Sequence, residues 1–125
     1  MDMNRAFAQA RDPRDGLHRL LRSYRAFTFE NPDLVQILLS ESMYLPEADR
    51  HRGRAAQHAY IAEWVHLAVE VHPDWDPVSA RIRVQAAQTV CNEIALTPRL
   101  GSRPGIESAL LAIGDRLLAI ADDGR

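Results

Sequence analysis

The stretch Phe29-Glu30-Asn31-Pro32-Asp33-Leu34 ends one helical pattern and begins another. Asn31 can cap the second helix, because its side chain can accept a hydrogen bond from an orphan backbone N–H. Pro32 suits the first helical position, and Asp33 adds a negative charge that the helix dipole favours. The upstream helix has an apolar face with three- and four-residue spacing, formed by Leu17, Leu20, Leu21, Tyr24 and Phe27. The stretch therefore predicts a tight corner between two helices.

The same start signals recur along the chain and predict an all-α fold. Asp12-Pro13 and Asp76-Pro77 each place a capping aspartate before a proline, and Leu45-Pro46-Glu47 begins a long third helix. No stretch alternates apolar and polar residues with the period of a β-strand. We predict a bundle of about five to six helices, with a loop over 98–105. The five main helices are expected over 13–29, 32–43, 45–71, 76–96 and 106–121.

The bulk composition is that of one globular domain spanning residues 1–125. The chain has 46% hydrophobic and 26% charged residues and a net charge of -2, which argues against a nucleic-acid-binding module on its own. Its single cysteine, Cys91, excludes an internal disulfide, and we expect a small buried side chain rather than a redox sensor. No membrane span or signal peptide is recognisable, so we expect a cytoplasmic protein. All 15 basic residues are arginine, which favours a GC-rich bacterial genome.

The last helix carries two apolar stripes. One has the 4-3-4-3 spacing of a coiled coil and begins at Ile106, and the other includes Gly114. One stripe can face the core of the chain, and we expect the other to face a second copy. The last two helices of each copy would then form a four-helix bundle. The predicted dimer interface consists of Val90, Ile106, Leu110, Ile113 and Leu117.

A group of aromatic, apolar and amide side chains has the composition of a small-molecule pocket. The long third helix is apolar on two sides, and two amides of the fourth helix, Gln88 and Asn92, lie one turn apart. Aromatic residues at helical spacing also fit a plain hydrophobic core. The predicted ligand-binding residues are Phe27, Phe29, Leu38, Met43, Tyr60, Trp64, Gln88 and Asn92.

Two other clusters were weighed as possible sites. Glu63 and His66, with Glu70 one turn on, resemble half of a carboxylate di-iron motif, but the second half is missing. We therefore expect a solvated face, with no metal and no cofactor. The basic run 50–54 could steer an anion but is more typical of a solvated segment. No phosphate loop or nucleophile motif occurs, so no enzyme activity is predicted.

The order of elements carries a family resemblance. It rests on the residues of 20–27 and 30–34, on 60–64 within a long helix, on 76–91, and on Arg99-Leu100 and Arg103-Pro104 before the last helix. In these features the chain resembles the C-terminal ligand-binding and dimerisation domain of the tetracycline-repressor (TetR) family of bacterial transcriptional regulators.

That resemblance implies a homodimer that binds an apolar or amphipathic small-molecule effector. It also implies that DNA is contacted only through an N-terminal helix-turn-helix domain. Residues 1–16 are too few for such a domain, so we expect it to be absent from this chain. Two alternatives stay open: a helical-bundle metal protein or enzyme, and a stand-alone interaction module without a DNA-binding domain.

Overall fold

The computed structural model describes residues 10–40 and 46–121, apart from the side chains of 38–40. Within these residues the chain forms α-helices and no β-strand. The helices are α1 (Pro13–Glu30), α2 (Pro32–Ser40), α3 (Glu47–Val71), α4 (Pro77–Ala95), α5 (Pro98–Gly101) and α6 (Ile106–Leu117). The predicted all-α helical bundle is confirmed. None of the described helices is long and apolar enough to cross a membrane.

The corner between α1 and α2 forms at the predicted position, but the Asn31 side chain binds the end of α1 and not the start of α2. Its backbone N–H and its side-chain Nδ2 each donate to the carbonyl oxygen of Phe27, both at 3.0 Å. The amide therefore satisfies an orphan carbonyl at the end of α1, which is possible because asparagine can donate as well as accept. At the start of α1, Asp12 Oδ1 accepts from the Asp15 N–H at 2.8 Å, as the sequence predicts.

Four helices enclose the core. α1 packs against α3, α4 and α6, and α4 packs against α3 and α6. The core residues are Leu17, Leu20, Leu21, Ile61, Trp64, Leu67, Ala68, Ala80, Val84, Ala87, Cys91, Leu110, Leu118 and Ile120. Residues 51–59 of α3 are all exposed, so its apolar faces begin near Tyr60 and do not extend back to Ala56. Only the second half of this helix is central.

α6 ends earlier than its apolar spacing predicts. The helix stops at Leu117, and Ala119 adopts a left-handed backbone with φ of 53°. The N–H of Ala119 donates to Arg116 O at 3.1 Å, and the N–H of Ile120 donates to Asp115 O at 2.8 Å. This bond pair is a Schellman motif, and it turns the chain so that Ile120 is fully buried. Ile120 therefore reaches the core because the chain reverses direction after α6, and not because the helix continues for another turn.

The predicted loop 98–105 contains the short helix α5. Thr97 starts it, since its carbonyl oxygen accepts from the N–H groups of Leu100 and Gly101 at 2.9 and 2.8 Å. Pro98 occupies the first helical position, where it costs no backbone hydrogen bond.

Candidate ligand site between three helices

Three aromatic rings meet where α1 and α3 pack. Tyr24 stacks on Tyr60 with ring centroids 6.4 Å apart, and its edge meets Trp64 at 6.0 Å. Tyr60 and Trp64, one turn apart on α3, are 5.9 Å apart in an edge contact. Trp64 is fully buried, whereas both tyrosines are partly exposed. The rings therefore form one continuous cluster that runs from the core to the surface.

Amide groups of α4 border this aromatic cluster. The Tyr24 hydroxyl donates to Asn92 Oδ1 at 2.8 Å, which joins α1 to α4. Gln88 lies one turn before Asn92 and is 7% exposed. Gln88 Nε2 and Trp64 Nε1 are both buried, and neither has a hydrogen-bond partner. Burial raises the pKa of Tyr60, and the nearby Trp64 indole N–H, which can donate to the Tyr60 hydroxyl oxygen, opposes that rise only in part.

The titratable groups of the cluster are neutral near pH 7. Burial raises the pKa of Tyr60 and of Tyr24 above the usual range of a phenol. Burial also raises the pKa of the Cys91 thiol to about 11, and the positive charge of Arg25 opposes that rise only in part. Cys91 is 1% exposed, so the prediction of a small buried side chain is confirmed. The interior of the site therefore offers dipoles and aromatic faces without a formal charge.

The structure brings four of the predicted ligand-binding residues together and adds one. Tyr60 and Trp64 form the cluster with Tyr24, Asn92 accepts from the Tyr24 hydroxyl, and Gln88 lies one turn before Asn92 on α4. Tyr24 is not among the predicted ligand-binding residues, because its spacing marks it only as part of the α1 apolar face.

The other predicted pocket residues lie elsewhere or cannot be assigned. Phe27 and Phe29 are partly buried on α1, and Arg25 Cζ lies 6.0 Å from the centre of the Phe29 ring. Leu38 lies in α2, but its side chain is outside the described part of the structure, and so is the whole of Met43. These two residues stay predictions.

The predicted interface residues divide between the core and the surface. Leu110 is 2% exposed and belongs to the chain's own core. Val90 and Leu117 are partly buried against the core, and Ile106 is also partly buried. Ile113 is 48% exposed. Of the five, Ile113 therefore has the most surface to offer another molecule.

Side chains from three parts of the chain converge on the end of α6. Arg83 Nη1 donates to Leu117 O at 2.9 Å, and His72 Nε2 donates to Leu118 O at 3.0 Å. Arg14 Nη2 donates to the carbonyl oxygens of Ile120 and Ala121 at 3.0 and 2.9 Å. The bonds to Leu117 and Leu118 satisfy carbonyl groups that a helix end leaves without intrahelical partners, and those from Arg14 fix the segment that follows. This cluster could not be predicted from the sequence, because its members are far apart along the chain.

The Trp75 ring contacts two of these donors, His72 and Arg83. The His72 ring stacks on it with centroids 4.0 Å apart, and Arg83 Cζ lies 4.7 Å from its ring centre. Indole is the aromatic face that binds cations best, so this arrangement holds both donors at the end of α6.

A basic groove of about 450 Å³ lies open to solvent along the first turns of α1. Its lining consists of Arg11, Asp12, Arg14, Asp15, His18, Arg19 and Arg22. The arginines are already engaged: Arg19 Nε donates to Asp15 at 2.9 Å and helps to lower the pKa of that carboxyl to about 2. Arg22 contacts His18, and His18 Nδ1 lies 3.3 Å from Asp115. The arginines that line the groove are therefore already bonded to other groups of the chain.

The face of α3 that carries Glu63, His66 and Glu70 is exposed, and so are residues 51–54 of the basic run. His66 Nε2 lies 2.8 Å from Glu70 on the exposed side of α3. Across residues 10–40 and 46–121, no group of three or more metal-ligating side chains is placed to hold a metal ion. In the basic run, Arg52 forms an exposed ion pair with Asp49 of the preceding turn.

No family model matches this chain, and no curated protein matches it either. The resemblance to the TetR family therefore stays a prediction. What can be argued further about function depends on the fold and on the aromatic cluster.

Proposed function

We propose that this chain is the effector-sensing and dimerisation domain of a TetR-like bacterial transcriptional regulator. Its effector would be an apolar or amphipathic small molecule bound at the aromatic cluster. The observation that carries the proposal is the cluster of three aromatic rings, with the buried polar nitrogens of Trp64 in the cluster and of Gln88 on the adjoining helix without hydrogen-bond partners. Each unpaired buried donor costs about 1–3 kcal/mol, and native cores leave few of them. A ligand that pairs them would recover that cost.

α1 links the proposed site to α6. Tyr24 lies in the aromatic cluster, and one turn earlier Leu21 packs closely against Gly114 of α6. Two polar contacts reinforce this packing: the ion pair of Arg25 with Glu107, and the approach of His18 Nδ1 to Asp115 Oδ1, each with its closest atoms 3.3 Å apart. In the proposed mechanism, a ligand that moves α1 shifts α6 with it. The spacing between two copies would change, and with it the affinity for DNA.

The proposed dimer interface is formed by α4 and α6. Val78 and Ile82 of α4 are 64% and 62% exposed, and Ile113 of α6 is 48% exposed. The two helices pack against each other, so two copies could bury these side chains in a four-helix bundle. DNA contacts are not assigned to this chain; in such regulators they belong to a helix-turn-helix domain.

Light scattering tests the dimer. At micromolar concentration we expect a dimer, and we expect Ile113→Asp or Ile82→Asp to convert it to a monomer, because a carboxylate would be buried without a partner. Leu34→Asp is the matched control, since Leu34 of α2 is 42% exposed but lies on neither helix of the interface. A monomeric wild-type chain would count decisively against this part of the proposal.

A thermal-unfolding screen tests the effector. Fatty acids, acyl-CoA esters, steroids and aromatic drugs would be compared on the wild-type chain. A true ligand at a hundred times its Kd adds about 2.7 kcal/mol to the free energy of unfolding. In a Trp75→Phe variant, Trp64 is the sole indole, so its emission reports binding at the cluster. If no compound changes either the unfolding temperature or this emission, the effector proposal fails.

A further inference from the structure

We propose that His18 is a pH-dependent switch whose Nδ1 accepts a hydrogen bond from Arg22 when the ring is neutral and donates one to Asp115 when the ring is protonated. Nδ1 lies 3.1 Å from Arg22 Nη1 and 3.3 Å from Asp115 Oδ1. Arg22 belongs to α1, as His18 does, whereas Asp115 belongs to α6. A fall in pH would therefore exchange a contact within α1 for a contact between two helices. The switch requires neither the effector nor the dimer of the proposed function.

The two partners of His18 Nδ1 make opposite demands on this atom. The Arg22 guanidinium can only donate, so its hydrogen bond needs a lone pair on Nδ1. The ionised Asp115 carboxylate can only accept, so its hydrogen bond needs a proton on Nδ1. A ring nitrogen of histidine carries either the lone pair or the proton. The protonation state of the ring therefore decides which of the two contacts is a hydrogen bond.

The geometry around Arg22 favours a lone pair on Nδ1 in the neutral ring. The distance from Arg22 Nη1 is the shorter of the two, and the same Nη1 also donates to the backbone oxygen of His18 at 3.2 Å. This second bond holds the guanidinium beside the ring. Because the donor is charged, its bond to Nδ1 is stronger than one between neutral groups. The neutral ring then carries its proton on Nε2.

Protonation of the ring reverses this preference. A positively charged imidazole is repelled by the guanidinium of Arg22 and attracted by the carboxylate of Asp115. The side chains of His18 and Asp115 are 19% and 16% exposed, so water and salt screen their attraction less than that of a surface pair. Histidine ordinarily changes its charge between about pH 5 and 8. His18 also lines the open groove along α1, from which it can take a proton.

The groove around His18 holds further charged side chains, none of which titrates like a histidine. Besides Arg22, they are Arg11, Asp12, Arg14, Asp15 and Arg19. The hydrogen bond from Arg19 lowers the pKa of Asp15 to about 2, so this carboxylate stays ionised far below neutral pH. Carboxyl and guanidinium groups ordinarily titrate outside the range of about pH 5 to 8. A change of partner within that range therefore depends on the His18 ring.

The helices α3 and α4 also pack against α1, and each brings a charged or titratable side chain to the end of α6. His72, directly after α3, donates to Leu118 O, and Arg83 of α4 donates to Leu117 O. Arginine stays protonated throughout, but His72 can titrate in the same range as His18. An experiment on the switch must therefore separate the two histidines.

The exchange of partners takes place where α1 and α6 already touch. Gly114, next to Asp115, packs closely against Leu21 of α1. A hydrogen bond from His18 to Asp115 adds to this contact, so α6 is held more firmly on α1 at the lower pH. Ile113, the exposed residue of α6 in the proposed dimer interface, belongs to the same helical turn.

NMR spectra of the histidine rings in the full, isotope-labelled chain test the switch directly, because they show which ring nitrogen carries a proton. At about pH 8 we expect the proton of His18 on Nε2, with Nδ1 unprotonated, and at about pH 5 we expect protons on both nitrogens. A proton on Nδ1 at the higher pH, or a neutral ring at the lower pH, would overturn the proposal.

Arg22→Met tests the first partner. Arg22 is exposed, so the variant is expected to fold. Without the guanidinium, the neutral ring should place its proton on Nδ1 and bind Asp115 at both pH values. Arg99→Met, at an exposed position of α5, is the matched control and should keep the wild-type ring. If the neutral ring of Arg22→Met still carries its proton on Nε2, Arg22 is not the partner and the switch fails.

Asp115→Asn tests the second partner. The backbone amide signals of 113–115 should shift between the two pH values in the wild type. We expect this shift to fall at least twofold in Asp115→Asn and His18→Gln, because the charged contact with α6 is lost. His72→Gln should keep it, since His72 binds Leu118 O instead. A shift that survives in Asp115→Asn, or that disappears in His72→Gln, would assign the pH response to another group.

Discussion

Replacing Ala119 by glycine should stabilise the protein, although the substitution removes a methyl group. Ala119 has φ of 53° in the Schellman turn that ends α6, and its side chain is exposed. A left-handed backbone costs a residue with a Cβ atom about 1–2 kcal/mol. Glycine avoids that cost but loses roughly 0.5–1 kcal/mol through the extra freedom of its unfolded state. The difference is a net gain of about 0.5–1 kcal/mol, since no buried contact is lost.

The assay is thermal unfolding at one fixed protein concentration, which matters because dimerisation would shift the transition. For a domain of this size the gain corresponds to an increase in Tm of roughly 2–4 °C. Ala112→Gly provides the same chemical change inside α6, at an exposed helical position. There glycine should lower stability by about 1 kcal/mol. A lower Tm for Ala119→Gly, or shifts of the same sign in both variants, would refute the reasoning.

Three further predictions concern the packing, the thiol and the end of α6. Gly114→Ala should destabilise the protein by about 1–2 kcal/mol in urea unfolding, because overpacking outweighs better helix propensity. The added Cβ would lie 2.7 Å from Leu21 Cδ2. An unchanged unfolding midpoint would show that the Leu21 side chain moves aside without cost. The pKa of Cys91 is raised to about 11, so its stabilisation is complete below pH 9 and is lost as pH rises toward 11. Cys91→Ala should therefore lose less stability than the wild type between these pH values, by up to roughly 2–3 kcal/mol, and parallel pH profiles would contradict this. Arg83→Met should lower the free energy of unfolding by about 1 kcal/mol, because it removes the hydrogen bond to Leu117 O. The matched control Arg99→Met, at an exposed position of α5, should leave the free energy of unfolding unchanged.

The first residues of helices α1 and α4 could be predicted from the sequence, because local signals set them. Asp12 and Asp76 precede prolines, and the observed helices begin at Pro13 and Pro77. The corner at Asn31 was also readable, although its side chain serves α1 and not α2. Such signals act over three or four residues, so they are fully present in the sequence.

The aromatic cluster was readable only in part. The composition of α3 and α4 indicated Trp64 and Gln88, because aromatic side chains with a few amides are typical of small-molecule pockets. Their shared lack of partners could not be predicted, because it depends on how two helices rotate against each other. The role of Tyr24 was missed for the same reason: its partner Asn92 is remote in the chain.

The all-α class, the main helix starts and the amphipathic faces follow from the amino-acid sequence alone, because capping, proline geometry and apolar spacing are local effects. Which apolar residues remain outside the core depends on how the helices pack against one another. Leu110 and Ile113 have the same apolar character and helical spacing, but one is 2% exposed and the other 48%. The difference arises because α6 turns one side toward α1 and α4, and its C-terminal end is fixed by donors from distant parts of the chain. Those contacts form only when the helices assemble.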